Sequence, residues 1–249
     1  MTFITLLLCL GLERFLHKGN WLGRFNWFEQ YVDKIHHLMR DQAWAQSHYV
    51  FLVLVVLPSV IVVAVIYALS SLFVHGLLAF FVGAFVLFYC LGPVDIYETK
   101  KVDQSIFWQA NETLFAVVFW FAVLGPVAAL IYRLVERSVH IHANELTFSE
   151  AASKVLAILD YLPVRLLSIL YALGGNFVCT SPVCLKYLLR DASFNCELLD
   201  KSGRVALGLG ETAELTAENY HQSLGLIERA FILFLFITFA VALGVLLKT

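Results

Sequence analysis

The sequence predicts an all-α, polytopic membrane helical bundle with about four or five spans plus amphipathic interfacial helices. Three observations carry that reading. Hydrophobic residues make up 60% of the 249-residue chain and charged ones 14%, against about 45–50% and 25% in soluble domains. The mean hydropathy is +0.79. The apolar residues also gather into runs near the ~20 residues a span needs, and in lipid only a helix satisfies the backbone of such a run without an open edge.

The elements follow in chain order within one membrane domain, residues 1–249. Thr2 to Leu12 is apolar, with no basic segment before it and no small-x-small site after it, so it is not read as a cleaved signal peptide. At 1.5 Å per residue it reaches ~17 Å, enough to enter the membrane, or to cross only by borrowing Glu13 to Leu16. Residues 13–48 read as an amphipathic interfacial region. From Phe25 to Gln42 the apolar Phe28, Tyr31, Val32, Ile35, Leu38 and Met39 recur at helical spacing, and Glu29, Asp33, Lys34 and His37 fill the other side. Trp21, Trp27 and Trp44 are expected as interfacial anchors.

Four runs are expected to span: Tyr49 to Phe73, Gly76 to Leu91, Leu114 to Tyr132 and Ala230 to Leu247. The first two form a tight hairpin, and Pro58 and Pro126, placed inside spans, are each expected to kink a helix. A fifth segment, Val155 to Val178, contains Asp160, Pro163 and Arg165. It either spans or lies at the interface as an amphipathic helix. On one continuous helix Asp160 and Arg165 would be ~140° apart, too far round for an ion pair. A spanning segment puts Arg14 to Arg40, Lys100, Lys101 and the basic residues from Lys186 to Arg229 on one side, leaving Arg133, Arg137, Lys154 and Lys248 opposite, as the positive-inside rule asks. Residues 179–228 then form a cytoplasmic helical and loop region packed on the ends of the spans.

Composition also limits function. A net charge of −2 does not describe a nucleic-acid binder. The five cysteines, Cys9, Cys90, Cys179, Cys184 and Cys196, are an odd set without C-x-x-C spacing, so neither a disulfide framework nor a zinc site is expected. His36-His37 and His140-x-His142 lack the H-E-x-x-H pattern and read as surface histidines rather than metal ligands. The G-x-G-x-x-A string from Gly208 to Ala213 has no βαβ unit around it and reads as a turn before a helix starting near Glu211. There is no phosphate-binding lysine loop, G-x-S-x-G elbow or kinase loop.

What remains is ionic chemistry at membrane depth, where a charged side chain is a functional candidate. The set comprises Glu13 and Arg14 after the first run, Gln109, Asn111 and Glu112 leading into the third span, Arg133, Glu136 and Arg137 leaving it, and Asp160 with Arg165. The end-of-helix members either snorkel or turn inward. In a pocket, the arginines would hold an anionic group bidentately and the carboxylates would orient them.

Leu159-Asp160-Tyr161-Leu162-Pro163-Val164-Arg165-Leu166 resembles the Y-L-P-A-R-L element of the CobD/CbiB superfamily and, more closely, the D-x-[VL]-P-V-R-L element of the AmpE family. Leu12-Glu13-Arg14-Phe15 resembles the L-x-E-R element of AmpE proteins, and Trp108 to Phe121, through Leu124-Gly125-Pro126 to Leu134, resembles their central span. Two features depart from these patterns: the hydrophilic stretch before the central span is short, and Gln109 to Leu114 replaces an acidic A-E-N-x-x-D-G element, with Glu112 keeping one carboxylate.

The AmpE likeness leads. It implies a multi-pass protein of the bacterial inner membrane that modulates β-lactamase induction and the response to cell-wall stress. Such a protein would sense or handle a ligand such as a muropeptide at a pocket of Asp160, Arg165, Arg133, Glu112, Asn111, Glu13 and Arg14. The CobD/CbiB likeness implies instead an ATP-dependent amide ligase acting on a corrinoid, with nucleotide and Mg²⁺ near Glu112 and Asp160. A third reading is a non-catalytic scaffold that binds another membrane protein through the Phe25 to Gln42 helix.

Overall fold

The computed structural model describes residues 26–39, 48–72, 77–91, 105–140, 146–211 and 217–247, and among them every regular element is helical. Glu13, Arg14, the N-terminal run, Trp21, Trp44 and the polar stretch from Glu98 to Gln104 lie outside the described residues. The chain divides into two compact units, residues 1–93 with 117–156, and residues 94–116 with 157–249.

In the first unit, α1 (Asn26–Met39) is the expected amphipathic helix. Phe28 and Val32, one turn apart, are fully buried, while Glu29, Asp33 and Lys34 face out. Trp27 Nε1 donates to the Tyr89 hydroxyl at 2.6 Å. α2 (His48–Leu72) carries Pro58 within it and is long enough to cross a ~30 Å hydrocarbon core. Its Val53, Ile61, Val65 and Leu69 are about half exposed or more, a surface that lipid covers at no hydrophobic cost. α3 (Leu77–Cys90) has 14 residues, ~21 Å by the helical rise, short of a full crossing.

The expected third span is shifted. Its helical path starts at Ile106, with α4 (Ile106–Ala110), a π-helical turn (Asn111–Phe115) and α5 (Ala116–Leu124), and the crossing length is Ile106–Leu124, not Leu114 to Tyr132. Gly125, at φ +86°, ends it. That left-handed conformation suits glycine, which lacks the Cβ that makes it costly. Pro126 is therefore not a kink inside a span. It opens α6 (Pro126–His140), a position where its missing N–H is no loss. α2, α3 and α6 pack on one another. In α6, Arg133 is 1% exposed and its Nη1 lies 3.2 Å from Glu136, which is also 3.7 Å from Arg137 Nε. Arg133 is thus turned inward with a carboxylate, not extended to water as a snorkelling residue.

α7 (Leu146–Leu159) and α8 (Tyr161–Gly174) replace the single helix considered for Val155 to Val178; the chain is broken at Asp160. In the second unit α8 is central, packed against α9 (Phe177–Tyr187), α10 (Asn195–Ala206), α11 (Ala217–Leu246) and the π turn. Two close approaches fix α10. The Phe107 ring occupies the place a Cβ on Gly203 would take, with ring carbons 2.6–2.7 Å from that point, and the Ala206 carbonyl lies 2.4 Å from where a Gly175 Cβ would sit. Asn176 caps α9, accepting from Cys179 N at 3.2 Å, and its own N–H donates to Ala206 O at 2.9 Å.

Gly208, φ +78°, ends α10. Its N–H donates to Val205 O at 2.9 Å and the Leu209 N–H to Arg204 O at 3.0 Å, the paired bonds of a Schellman cap. The glycine string is therefore the end of one helix; the expected helix start after Glu211 lies outside the described residues, and the next described helix is Ala217–Leu246. α11 also reaches further back than Ala230, with Asn219–Gly244 apolar enough to cross. Among the described residues three helices can by length and composition cross a membrane, or up to four if α7 and α8 form one broken span. The protein is an all-α membrane helical protein.

Candidate functional site

The second unit holds the largest gathering of expected site residues, and it starts at the π turn. An α-helix from Ile106 onward would pair the Gln109 carbonyl with the Thr113 N–H. Here the Thr113 hydroxyl donates to Gln109 O at 2.6 Å, and the Ala116 N–H closes the wider turn on Asn111 O. The wide turn accommodates one residue more than an α turn would, a device found often at functional positions. Asn111, fully buried, then points its Nδ2 at Asp160 Oδ1, 2.8 Å away.

Asp160 is also fully buried and occupies the break between α7 and α8. A carboxylate at such a place costs several kcal/mol unless hydrogen-bonded, which explains why an amide stands opposite it. Asn111 Oδ1 and the Tyr171 hydroxyl are buried polar atoms with no hydrogen-bond partner among the described residues.

Arg165, one and a half turns into α8, has a different role from the one its charge suggests. Its Nε donates to Leu188 O at 2.9 Å, Nη1 to Tyr161 O at 3.0 Å and to Asn195 Oδ1 at 2.8 Å, and Nη2 to Arg190 O. The guanidinium also stacks on the Tyr161 ring, 3.3 Å from its centroid. Leu188 and Arg190 follow the end of α9, where carbonyls lack helical donors and the dipole favours a cation. Four of the five guanidinium N–H groups are thereby used on the protein itself. Asn195 extends the network by donating to Ala157 O at 2.8 Å.

Along α10 runs a second polar group. Ser105 Oγ donates to Asp200 Oδ1 at 2.7 Å, and Arg204 Nη2 holds Asp200 Oδ2 at 2.7 Å. Lys201 Nζ lies 2.7 Å from Glu197 and donates to the Tyr187 hydroxyl at 2.9 Å, which in turn donates to Glu197 at 2.8 Å. The bond from Lys201, then that from Tyr187, holds the Glu197 carboxyl below its usual range, and the bond to Glu197 holds Lys201 above its own. Desolvation, then the carboxylates of Asp200 and Glu112, pushes the Cys196 thiol up. Glu112, one of those carboxylates, is half-buried.

Of the expected site, Asn111 and Asp160 are in direct contact and Glu112 is adjacent in the chain to Asn111. Arg165 belongs to the same unit but is engaged with the α9–α10 connection. Arg133 belongs to the first unit with Glu136, and Glu13 and Arg14 lie outside the described residues. Asn195 and Asp200 are not marked in the sequence; nothing in a short window points to a partner thirty or more positions away.

Part of the chain is similar to CobD. The cobalamin biosynthesis protein CobD of Chromobacterium violaceum is 36% identical over 99 residues, covering 34% of this chain and 32% of that protein. The protein of the same name from Stutzerimonas stutzeri is 32% identical over 81 residues, covering 31% of this chain and 27% of that one. The chain thus spans about a third of the length of the curated relatives it matches. No family model matches, and no solved structure matches. The likeness favours the CobD/CbiB-type reading over the AmpE-type one.

Proposed function

We propose that this chain is a membrane protein that works on a corrinoid, using the Asn111, Glu112 and Asp160 group to position a substrate for amide-bond formation at the cost of ATP. The observation that carries the reading is the 36% identity to a cobalamin biosynthesis protein. The buried Asn111–Asp160 bond supports it because an ionisable side chain within an apolar helical bundle is a functional candidate by default. In this reading Glu112, half-buried at the same turn, faces the reacting groups and Asp160 sets the orientation of Asn111. Among the described residues no group of three or more His, Cys, Asp or Glu side chains could hold a metal ion, so no step is assigned to protein-bound magnesium.

The test uses the full chain in nanodiscs with ATP, Mg²⁺, a corrinoid carboxylic acid and a primary amine. Amide product by mass spectrometry, lost in Glu112→Gln, is the expected result. The absence of both product and co-elution of corrinoid absorbance with the discs would sink it.

A second reading, sensing of a cell-wall fragment such as a muropeptide to modulate β-lactamase induction, is favoured by one observation. Only Glu112 stands where an acidic element is expected, which suits binding without chemistry. It predicts saturable muropeptide binding that Asn111→Ala weakens, with no ATP turnover.

A further inference from the structure

The α8–α9 hairpin is inverted in polarity relative to a hairpin that faces water. Its inner side carries Arg165, Ser168, Thr180 and Cys184, each 6% exposed or less, and the Cys184 thiol donates to Ser168 O at 3.4 Å. Its outer side is apolar. On α8 the outward residues are Leu162, Ile169 and Leu173, 55%, 38% and 53% exposed; along α9 and just past its end they are Val178, Leu185 and Leu189, 79%, 70% and 90% exposed. Both sets follow the same spacing, seven then four residues, a single helical face on α8 and, on α9, a face continued by Leu189 in the turn that follows. Monomeric soluble proteins seldom expose contiguous apolar surface of this kind.

What covers this face is indicated by charge and by continuity. The segment from Phe177 to Arg190 has Lys186 and Arg190, both exposed, and no acidic residue. These cations stand beside Leu185 and Leu189, the arrangement of an interfacial helix whose stem is in acyl chains and whose basic groups reach anionic headgroups. α11, which packs directly on α8, has its own outward apolar residues in Ile232 and Phe236, 64% and 68% exposed. With 14 and 11 residues, the arms reach only ~21 and ~17 Å, so neither crosses a ~30 Å core alone. We propose that α9, expected from the sequence to lie in a cytoplasmic loop region, is embedded with α8 in one leaflet, its Val178, Leu185 and Leu189 face against the acyl chains of an anionic bilayer and Lys186 and Arg190 at its headgroups.

The test takes the full chain in phosphatidylglycerol-containing nanodiscs and introduces Leu185→Trp or Leu189→Trp. The added emission should fall to less than half when the acyl chains are brominated and should be unaffected by aqueous iodide. Quenching by iodide instead would place the face in water. Quenching by neither reagent would mean that protein, such as a second copy of the chain, covers it; either result overturns the proposal. A readout without substitution guards against misfolded variants: phosphatidylglycerol bearing an acyl-chain diazirine should label the peptide 177–190 of the unaltered chain on irradiation, and absence of label there, with α11 labelled, also overturns it.

Discussion

Asn111 and Asp160, forty-nine positions apart, meet in a 2.8 Å hydrogen bond with both side chains sealed from solvent. Each residue sits where its helix departs from regularity, one at a π turn and the other at a break. The two irregularities face each other across the unit, so one polar contact serves both. Around it, the Arg165 network and the α10 cluster hold the remaining pieces, and each makes a separate prediction.

Arg165→Lys should not substitute for the native residue. An ammonium lacks the planar fork that reaches the carbonyls of Leu188 and Arg190 and the Asn195 side chain together. Losing two charge-assisted bonds predicts a destabilisation of about 3–6 kcal/mol. Thermal unfolding in detergent checks this, and limited proteolysis should show new cleavage between residues 188 and 195. A lysine variant as stable as the parent would contradict the assignment.

Three glycines on or after α10 should respond differently to alanine. Gly203→Ala drives a Cβ into the Phe107 ring and should cost about 1–3 kcal/mol through overpacking. Gly208→Ala meets no atom within 4 Å but must hold φ +78°, costing about 1–2 kcal/mol. Gly210→Ala has neither problem and should leave the unfolding temperature unchanged.

The Glu197–Lys201 pair should make stability depend on pH at both extremes. Glu197 has a depressed pKa, so its contribution is complete above the ordinary carboxylate value of ~4.3 and is lost as pH falls through the lowered one. Lys201 has a raised pKa, so its contribution is complete below ~10.4 and disappears as pH rises through the raised value. Difference curves between parent and Glu197→Gln, taken by thermal unfolding across pH, should be flat between these limits and converge outside them. Because both groups are partly exposed, high salt should shrink the effect.

Cys196 should alkylate slowly for an exposed thiol. Desolvation and the carboxylates of Asp200 and Glu112 disfavour its thiolate. Glu112→Gln should therefore raise its maleimide rate near neutral pH, measured by peptide mass spectrometry on the full chain. An unchanged rate would separate Glu112 from α10 and weaken the site's geometry.

The helical class and the amphipathic α1 were legible because periodicity and hydropathy are local properties, summed over many residues. The interruptions were not. Gly125-Pro126 reads as a kink within an apolar run, yet glycine's positive φ there stops one helix and proline starts the next. Asp160 and Arg165 stood out as costly charges, and both are buried. Asn111 stood out beside Glu112 but not as the partner of Asp160, and Asn195 is an ordinary amide until the fold brings it opposite Arg165. The exposed ridge of α9 was hidden because Ser181, Pro182 and two cysteines dilute its hydropathy.

The wide turn at Asn111–Phe115 behaves as an insertion accommodated without breaking a helix. The wider winding takes up the ~100° of rotation and ~1.5 Å of rise that an extra residue would add to an ordinary α-helix, so the chain on either side keeps its register. Phe107, seated over Gly203, and Phe115, 4.9 Å from the Phe234 ring, anchor opposite sides of that turn. Both aromatic seats therefore survive the extra residue, whereas one more inserted into the α winding on either side would force one of them out.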